Sequence, residues 1–382
     1  MLVTKKIKIL ECIRQGQIGG GESHLLSLVE NLNRSAFEPV VLSFTEGPMI
    51  ERLKQMNVES HVIFTDKPFD FRKWKQVKRL IREHQIDIVH AHGSRANSNI
   101  LWAARSLGIP VVYTVHGWSF HQDQNPVAHK IRVFSEKYLT SKTDLNISVS
   151  FSNQQSGKKY IKSFNSIVIN NGIDQNKFNP EKCYKNIRKE LNIPVDEILV
   201  LFIARFTAHK QPLSLINAFA KTLMANPKLH LLMVGEGDQK QMAKELIDSH
   251  GLNHKITLHS FRQDVPDVLA NADIFVLPSL WEGLPIGLLE AMAMGKAVIA
   301  SNVDGTSEII VDNLNGLLVN TNNLSEELTT ALLKLSDDAS LRRQFGQKAI
   351  ETINDKFNAA NMTRLIEYEY NRLAKHLPSG MK

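Results

Sequence analysis

The stretch WEGLPIGLLE, Trp281 to Glu290, sets two glutamates eight residues apart around a proline in an otherwise apolar run. The preceding DIFVLPS (273–279) has the composition of a buried strand, WEGLP that of a turn, and Pro285 suits the first position of a helix running to about Met294. Glu282 then lies on the loop, and Glu290 inside the helix, roughly 7 Å along the axis from Pro285 at ~1.5 Å per residue. Acids so placed cannot form an adjacent pair, but they can hold two parts of one long ligand. The amides of Gly283, Leu284 and Ile286, with the helix dipole, would serve an anionic part in between. The plainer alternatives are a dipole-stabilising charge at Glu282 and a solvated helix position at Glu290. GLLEAMAMG is an apolar helix, however, and a charge buried there without a partner is expensive.

Other junctions carry chemistry of the same kind. QGQIGGGESHLL places Gly19, Gly20 and Gly21 between a strand and a helix, where glycine lets backbone N–H groups approach an anion or simply makes a tight turn. The dinucleotide fingerprint G-x-G-x-x-G is absent, and VGEGDQK (234–240) lacks both the third glycine and the lysine and Ser/Thr of a P-loop. His90 and His92 in HAHGS share one face of a strand, but no carboxylate or third histidine stands at a supporting spacing, so no metal site is expected. His116 in TVHG follows a strand directly, at a position open to function or to a structural role. In ARFTAHKQP, Arg205 and Lys210 sit between a strand and a helix begun by Pro212, placed to neutralise a diphosphate or simply solvated.

The elements that position these residues are legible as alternation. Continuous apolar runs (7–13, 39–45, 60–64, 86–92, 110–115, 144–149, 166–170) are separated by helix-length amphipathic segments, as for parallel strands covered on both faces. After NNGIDQNKFNP (170–180) the series restarts at 198–204, 229–234, 255–259, 273–278, 297–301 and 316–319, and the chain ends in helices. The fold class is therefore α/β, with two doubly wound units in tandem; their ligands belong beyond the carboxyl ends of the strands. The 382 residues also favour two domains. No run approaches the ~20 apolar residues of a membrane span, and the N-terminus lacks a signal-peptide pattern. The two cysteines fit no metal or disulfide framework, so a cytoplasmic location is expected. The net charge of +7 favours anionic partners without choosing among them.

GGGES, HAHGS, TVHG, INNGID, ARFTAHK, LMVGEGD and SLWEGLPIGLLEAMAMGKAVIASNVDGTSEII, in that order along nearly the whole chain, resemble the family 4 retaining glycosyltransferases. The resemblance implies the GT-B fold: two Rossmann-like domains facing each other across a cleft, an acceptor-binding domain at 1–175 and a nucleotide-sugar-binding domain at 176–356, with a C-terminal helix (357–382) packing back on the first. It implies that Glu290 binds the ribose, that Glu282 and the backbone of Gly283, Leu284, Pro285 and Ile286 hold the donor sugar, and that Arg205 and Lys210 hold the diphosphate, helped by Gly20 and Gly21. It places His116 beside the anomeric centre and the backbone of Phe261 and Arg262 against the base. It implies transfer with retention from a nucleotide diphosphate-sugar, UDP before GDP or ADP, to a glycan, lipid-linked or small-molecule acceptor, with neither metal nor cofactor. The acceptor falls to the loops at Gly93–Asn97 and Trp118–Asn125. The chain departs from the family at Val303-Asp304-Gly305, where relatives carry a glycine pair, and at Ser260-Phe261, where relatives often carry glycine.

The segment FRKWKQVKRLIREH (71–84) has two readings, a surface that meets the anionic inner membrane peripherally or a crossover helix with a solvated basic face. A GT-B epimerase would need different acid positions. A basic anion-binding or nucleic-acid-binding protein would cluster aromatic with basic residues, whereas aromatics are 7% and scattered, so no nucleic-acid partner is expected.

Overall fold

The computed structural model describes residues 5–121 and 124–375. The chain divides into two compact units, one running to Gly172 and resuming at Ala359, the other Ile173–Asn358. The first unit holds a parallel sheet of β1 (Ile7–Ile13), β2 (Phe37–Ser43), β3 (Glu59–Val62), β4 (Ile88–His92), β5 (Val111–Val115), β6 (Leu145–Ser148) and β7 (Ile167–Val168) in the order β3-β2-β1-β4-β5-β6-β7. The strand order reverses beside β1, which pairs with β2 on one side and β4 on the other. Continuous apolar runs are required because both faces are covered. Leu10 and Cys12 point into one buried cluster, Ile9 into a second and Ile13 into a third. The helix Ala359–Lys375 adds Met362, Ile366 and Tyr370 to the cluster around Ile9. The expected extent of that helix to 382 lies outside the described residues from 376 on.

The second unit repeats the plan with β8 (Ile198–Ile203), β9 (Leu229–Val234), β10 (Ile256–His259), β11 (Ile274–Leu277), β12 (Ala297–Ser301) and β13 (Leu317–Val319), parallel, in the order β10-β9-β8-β11-β12-β13. Its reversal lies beside β8. Gly19–Gly21 after β1, and Arg205, Lys210 and Glu282 after β8 and β11, fall just past strand carboxyl ends beside the reversal, where open α/β sheets bind ligands; His116 follows β5 and Phe261 the edge strand β10.

Local differences from the sequence expectation have simple causes. β2 begins at Phe37 and so contains Pro39; β3 pairs only from Val40 onward, so on that side the proline interrupts no ladder bond. Pro285 caps the following helix in an extended conformation instead of opening it, and the helix runs Ile286–Ala293. The boundary expected in the Asn/Gly-rich segment falls at 172/173, and a second crossing occurs at 358/359. The Ile173 amide donates to the Phe357 carbonyl (2.8 Å), which ties the two crossings together on the second unit. Val77, Leu80 and Ile81 of the helix Trp74–Glu83 are buried, so its apolar stripe is spent inward, while Lys75, Arg79 and Arg82 are exposed. No helix among the described residues is long and apolar enough to cross a membrane.

Candidate active site

In the second unit the loop after β8 makes a short turn, Ala208–Lys210, and Gln211 takes a left-handed conformation (φ 54°) that redirects the chain into the helix Pro212–Ala225. Arg205 is exposed just past the strand. Lys210 is largely buried and donates to the Glu282 carboxylate, so the turn after β8 and the loop after β11 are joined by an ion pair. His209 stacks flat on Trp281, with centroids 4.0 Å apart, and its carbonyl accepts from the Leu280 amide at 2.8 Å. The cation assigned to the diphosphate and the acid assigned to the donor sugar are thus held side by side. Gly283, Leu284 and Ile286 are buried at the start of the helix Ile286–Ala293. Gly305 seals this loop from behind, because a Cβ there would stand 1.9 Å from the Gly283 carbonyl oxygen. Asp304, at the expected departure from the family pattern, holds φ 25°, a conformation that favours glycine.

Glu290 sits on the same helix, half-buried, and its carboxylate has no hydrogen-bond or ion-pair partner among the described residues. Burial pushes it up to about 7, against a smaller opposing pull from Lys177. Phe261 and Arg262 follow β10. The Arg262 guanidinium is committed to Asp264 (2.6 Å) and Glu190 (2.7 Å), which leaves backbone and not side chain for any ligand there.

In the first unit Gly20 and Gly21 form the opening turn of the helix Gly20–Asn31 and not a loop before it. Nothing lies within 4 Å of a Cβ at Gly20, and one at Gly21 would touch His116 at 3.6 Å, an ordinary contact. No neighbour in the protein demands glycine at either position. His116 is half-buried directly after β5. Behind it lies a network that sequence spacing did not show. Contrary to the expectation that no carboxylate supports His90 and His92, Glu11 of β1 reaches both, at 3.3 and 2.8 Å. β1 lies beside β4, so tertiary pairing supplies what sequence distance could not. The available signal was a charge inside the apolar run IKILECI. His24 and Tyr370 were missed as well.

The hydrogen bonds determine the tautomers. Glu11, fully buried, would be raised by burial alone, but the charge and hydrogen bonds of His90 and His92 hold it well below the usual carboxylate range. As an anion it only accepts, from the Tyr370 hydroxyl (2.7 Å) and from His92 Nε2–H (2.8 Å). His92 Nδ1 must then accept, and His116 Nε2–H donates to it at 3.1 Å. The lone pair of His116 is left on Nδ1. Burial keeps His116 neutral, well below its ordinary value, and brings His92 to about 4 and His24 to about 3. His24 Nδ1–H donates to Asn171 Oδ1 (2.9 Å), and its Nε2 is buried without a partner. Nitrogens of His24, His92 and His116 lie within 4.8 Å of one another, as do ligand-type atoms of Glu11, His90 and His92. Of the acceptor loops, Gly93 takes φ 84° ahead of the helix Ser94–Arg105, and residues 122 and 123 of the other lie outside the described residues.

Two parallel doubly wound units with polar clusters at the strand carboxyl ends have the architecture of the GT-B fold. The Anabaena protein HepE, solved with UDP and glucose, superposes with a TM-score of 0.83 over 96% of this chain and 100% of that one at 21% identity, which shows the fold. Residues 18–177 match the family model described as Glycosyltransferase Family 4, and residues 184–352 that of Glycosyl transferases group 1. The chain belongs to these group 1 glycosyltransferases. The chain is 29% identical over 280 residues, 71% of its length and 72% of the relative's, to the Escherichia coli UDP-Gal:alpha-D-GlcNAc-diphosphoundecaprenol alpha-1,3-galactosyltransferase. It is also 29% identical over 285 residues, 72% of its length and 74% of the relative's, to the Campylobacter jejuni N,N'-diacetylbacillosaminyl-diphospho-undecaprenol alpha-1,3-N-acetylgalactosaminyltransferase.

Proposed function

We propose that this glycosyltransferase moves a sugar from a UDP-sugar to a lipid-linked glycan acceptor, with retention of configuration and without a metal. The observation that carries the donor side is Glu290, a half-buried carboxylate without a hydrogen-bond or ion-pair partner among the described residues, on the helix that directly follows the loop bearing Glu282. A ligand with vicinal hydroxyls at one end, a diphosphate in the middle and a sugar at the other suits that row. The ribose hydroxyls donate to Glu290, the diphosphate lies against Arg205, Lys210 and the helix N-terminus, and the sugar hydroxyls donate to Glu282. Phe261 and Arg262 offer backbone to the base. The donor of the Escherichia coli relative is UDP-Gal, and both relatives act on diphosphoundecaprenol-linked sugars, which supports the UDP carrier and the lipid-linked acceptor.

In the reaction the bond from the anomeric carbon to the phosphate oxygen breaks and one to the acceptor oxygen forms on the same face. The acceptor's proton passes to the departing phosphate. Charge growing on that phosphate is neutralised by Arg205 and Lys210, the latter already held by Glu282 before reaction. His116, neutral and with its lone pair on Nδ1, accepts from a sugar hydroxyl near the reacting carbon, and Glu11 and His92 act as positioning residues behind it. A lipid-linked acceptor fits an enzyme that works at the cytoplasmic face of the membrane.

Thermal unfolding with UDP, GDP, ADP and their sugars tests the donor side, because a ligand bound only by the native state raises its stability. A shift with UDP species that Glu290→Ala weakens is expected. No shift with any nucleotide would remove the reading.

A further inference from the structure

The helix Pro126–Lys142 follows the His116 loop, and only Glu136, Leu139 and Thr140 of its seventeen residues are buried. Val133 and Leu139 pack on the core, whereas the outward face carries apolar side chains as well: Val127 is 66% exposed, Ile131 63% and Phe134 73%. At about 100° per residue these three fall within an arc of about 60°, opposite the buried Glu136. A second, outward apolar stripe departs from the usual surface helix. Lys130, Lys137 and Lys142, all exposed, flank the stripe. The neighbouring helix Ser94–Arg105 adds Trp102, 40% exposed and 6.4 Å from the Tyr138 ring, and contains no acid. Across the two helices the one acid, Glu136, is buried.

We infer that the outer face of the helix Pro126–Lys142, with Trp102, is a docking surface for an anionic lipid bilayer. An apolar stripe rimmed by lysines, with an indole at its edge, is the pattern of a helix lying in the interface plane, its apolar side chains in the acyl boundary and its cations among anionic headgroups. A protein partner of opposite charge is the weaker fit, because the stripe itself is uncharged and the cations sit only at its rim. The helix is joined to the candidate site. Glu136 accepts from the Tyr113 hydroxyl (3.0 Å) and from the Ser119 amide (3.3 Å), and Arg132 donates to the Ser119 carbonyl (3.0 Å). Ser119 is three residues past His116, so docking would hold the loop bearing His116 beside the bilayer that carries the acceptor. In that purpose the inference rests on the lipid-linked acceptor proposed above. The basic helix Trp74–Glu83, whose apolar residues are buried, contributes charge only.

The test is co-sedimentation of the full chain with phosphatidylcholine vesicles, with and without phosphatidylglycerol, at low and high salt, with light scattering on the same samples. Expected are binding to the anionic vesicles, weaker at high salt, and loss of about tenfold or more in the double variant Ile131→Glu/Phe134→Glu. Both side chains are solvent-exposed, so the fold should tolerate the change. Lys130→Gln/Lys137→Gln should weaken binding to anionic vesicles and flatten its salt dependence. Unchanged binding in the double glutamate variant, no binding by the native chain, or a native dimer that this variant dissociates would overturn the inference. The nucleotide-induced thermal shift, read on the same variants, reports separately on the donor reading and should not change.

Discussion

At the scale of single residues, two carboxylates are held in opposite states by their surroundings. Glu290 is pushed up to about 7 by burial with only Lys177 to oppose it, so it changes charge near neutrality. Ribose hydroxyls donate, and the ionised carboxylate accepts best. Nucleotide affinity should therefore weaken as pH falls through about 7, and Glu290→Gln should weaken binding and remove that pH dependence; calorimetry across pH checks both. The sign for folding is the reverse of the usual acid: a raised carboxyl costs stability as pH climbs from its unfolded value toward 7. Glu11 is instead kept ionised by its histidines and dictates which nitrogen of His92, and then of His116, carries a proton. Glu11→Gln keeps the shape but lets an amide N–H face His92. Turnover should fall about 10- to 100-fold, the range for outer partners of functional groups, with little change in donor KM. Imidazole 15N shifts should show His116 protonated at Nε2 in the native protein and mixed in the variant. Native His116 protonated at Nδ1 would refute the chain of tautomers.

At the scale of elements, the loop after β12 is the tightest fit. Gly305 has no room for a Cβ against Gly283, so Gly305→Ala must shift the backbone that precedes the Ile286–Ala293 helix. A loss of about 1–3 kcal/mol and weaker nucleotide binding are expected from denaturant unfolding and thermal shift. Asp304→Gly should be tolerated or stabilising by about 1 kcal/mol, since φ 25° suits glycine. The glycines at 20 and 21 are unlike Gly305, because no protein atom requires them. Their use is consistent with close approach of a ligand to the helix start.

At the scale of the whole molecule, the second unit is one continuous segment and the first is not. Expressed alone, 173–358 is expected to fold and retain a nucleotide-induced shift. Truncation after 358 should unfold the first unit, because Met362, Ile366 and Tyr370 belong to its core and Tyr370 is a buried partner of Glu11. Limited proteolysis and circular dichroism of the two truncated chains check this. Tyr370→Phe alone should cost about 1–3 kcal/mol, the penalty for an unsatisfied buried acceptor.

The sequence by itself determined the alternation of strands and helices, the restart after the Asn/Gly-rich segment and the loops that carry Arg205, Lys210, Glu282 and His116. These depend on local periodicity and turn chemistry, which a chain displays wherever its neighbours lie. The family motifs, too, are contiguous. Only the tertiary structure decided that Glu11 meets His90 and His92, that Tyr370 of the last helix closes the same network, that Lys210 pairs with Glu282, and that Val127, Ile131 and Phe134 point away from the core. Strand order puts β1 next to β4 although their residues are some eighty positions apart (Glu11 to His92, 81). Which face of a helix is buried depends on what packs behind it. In the Pro126–Lys142 helix the inward position is taken by a glutamate that hydrogen-bonds a tyrosine, so its apolar stripe, read by period alone, would have been turned the wrong way.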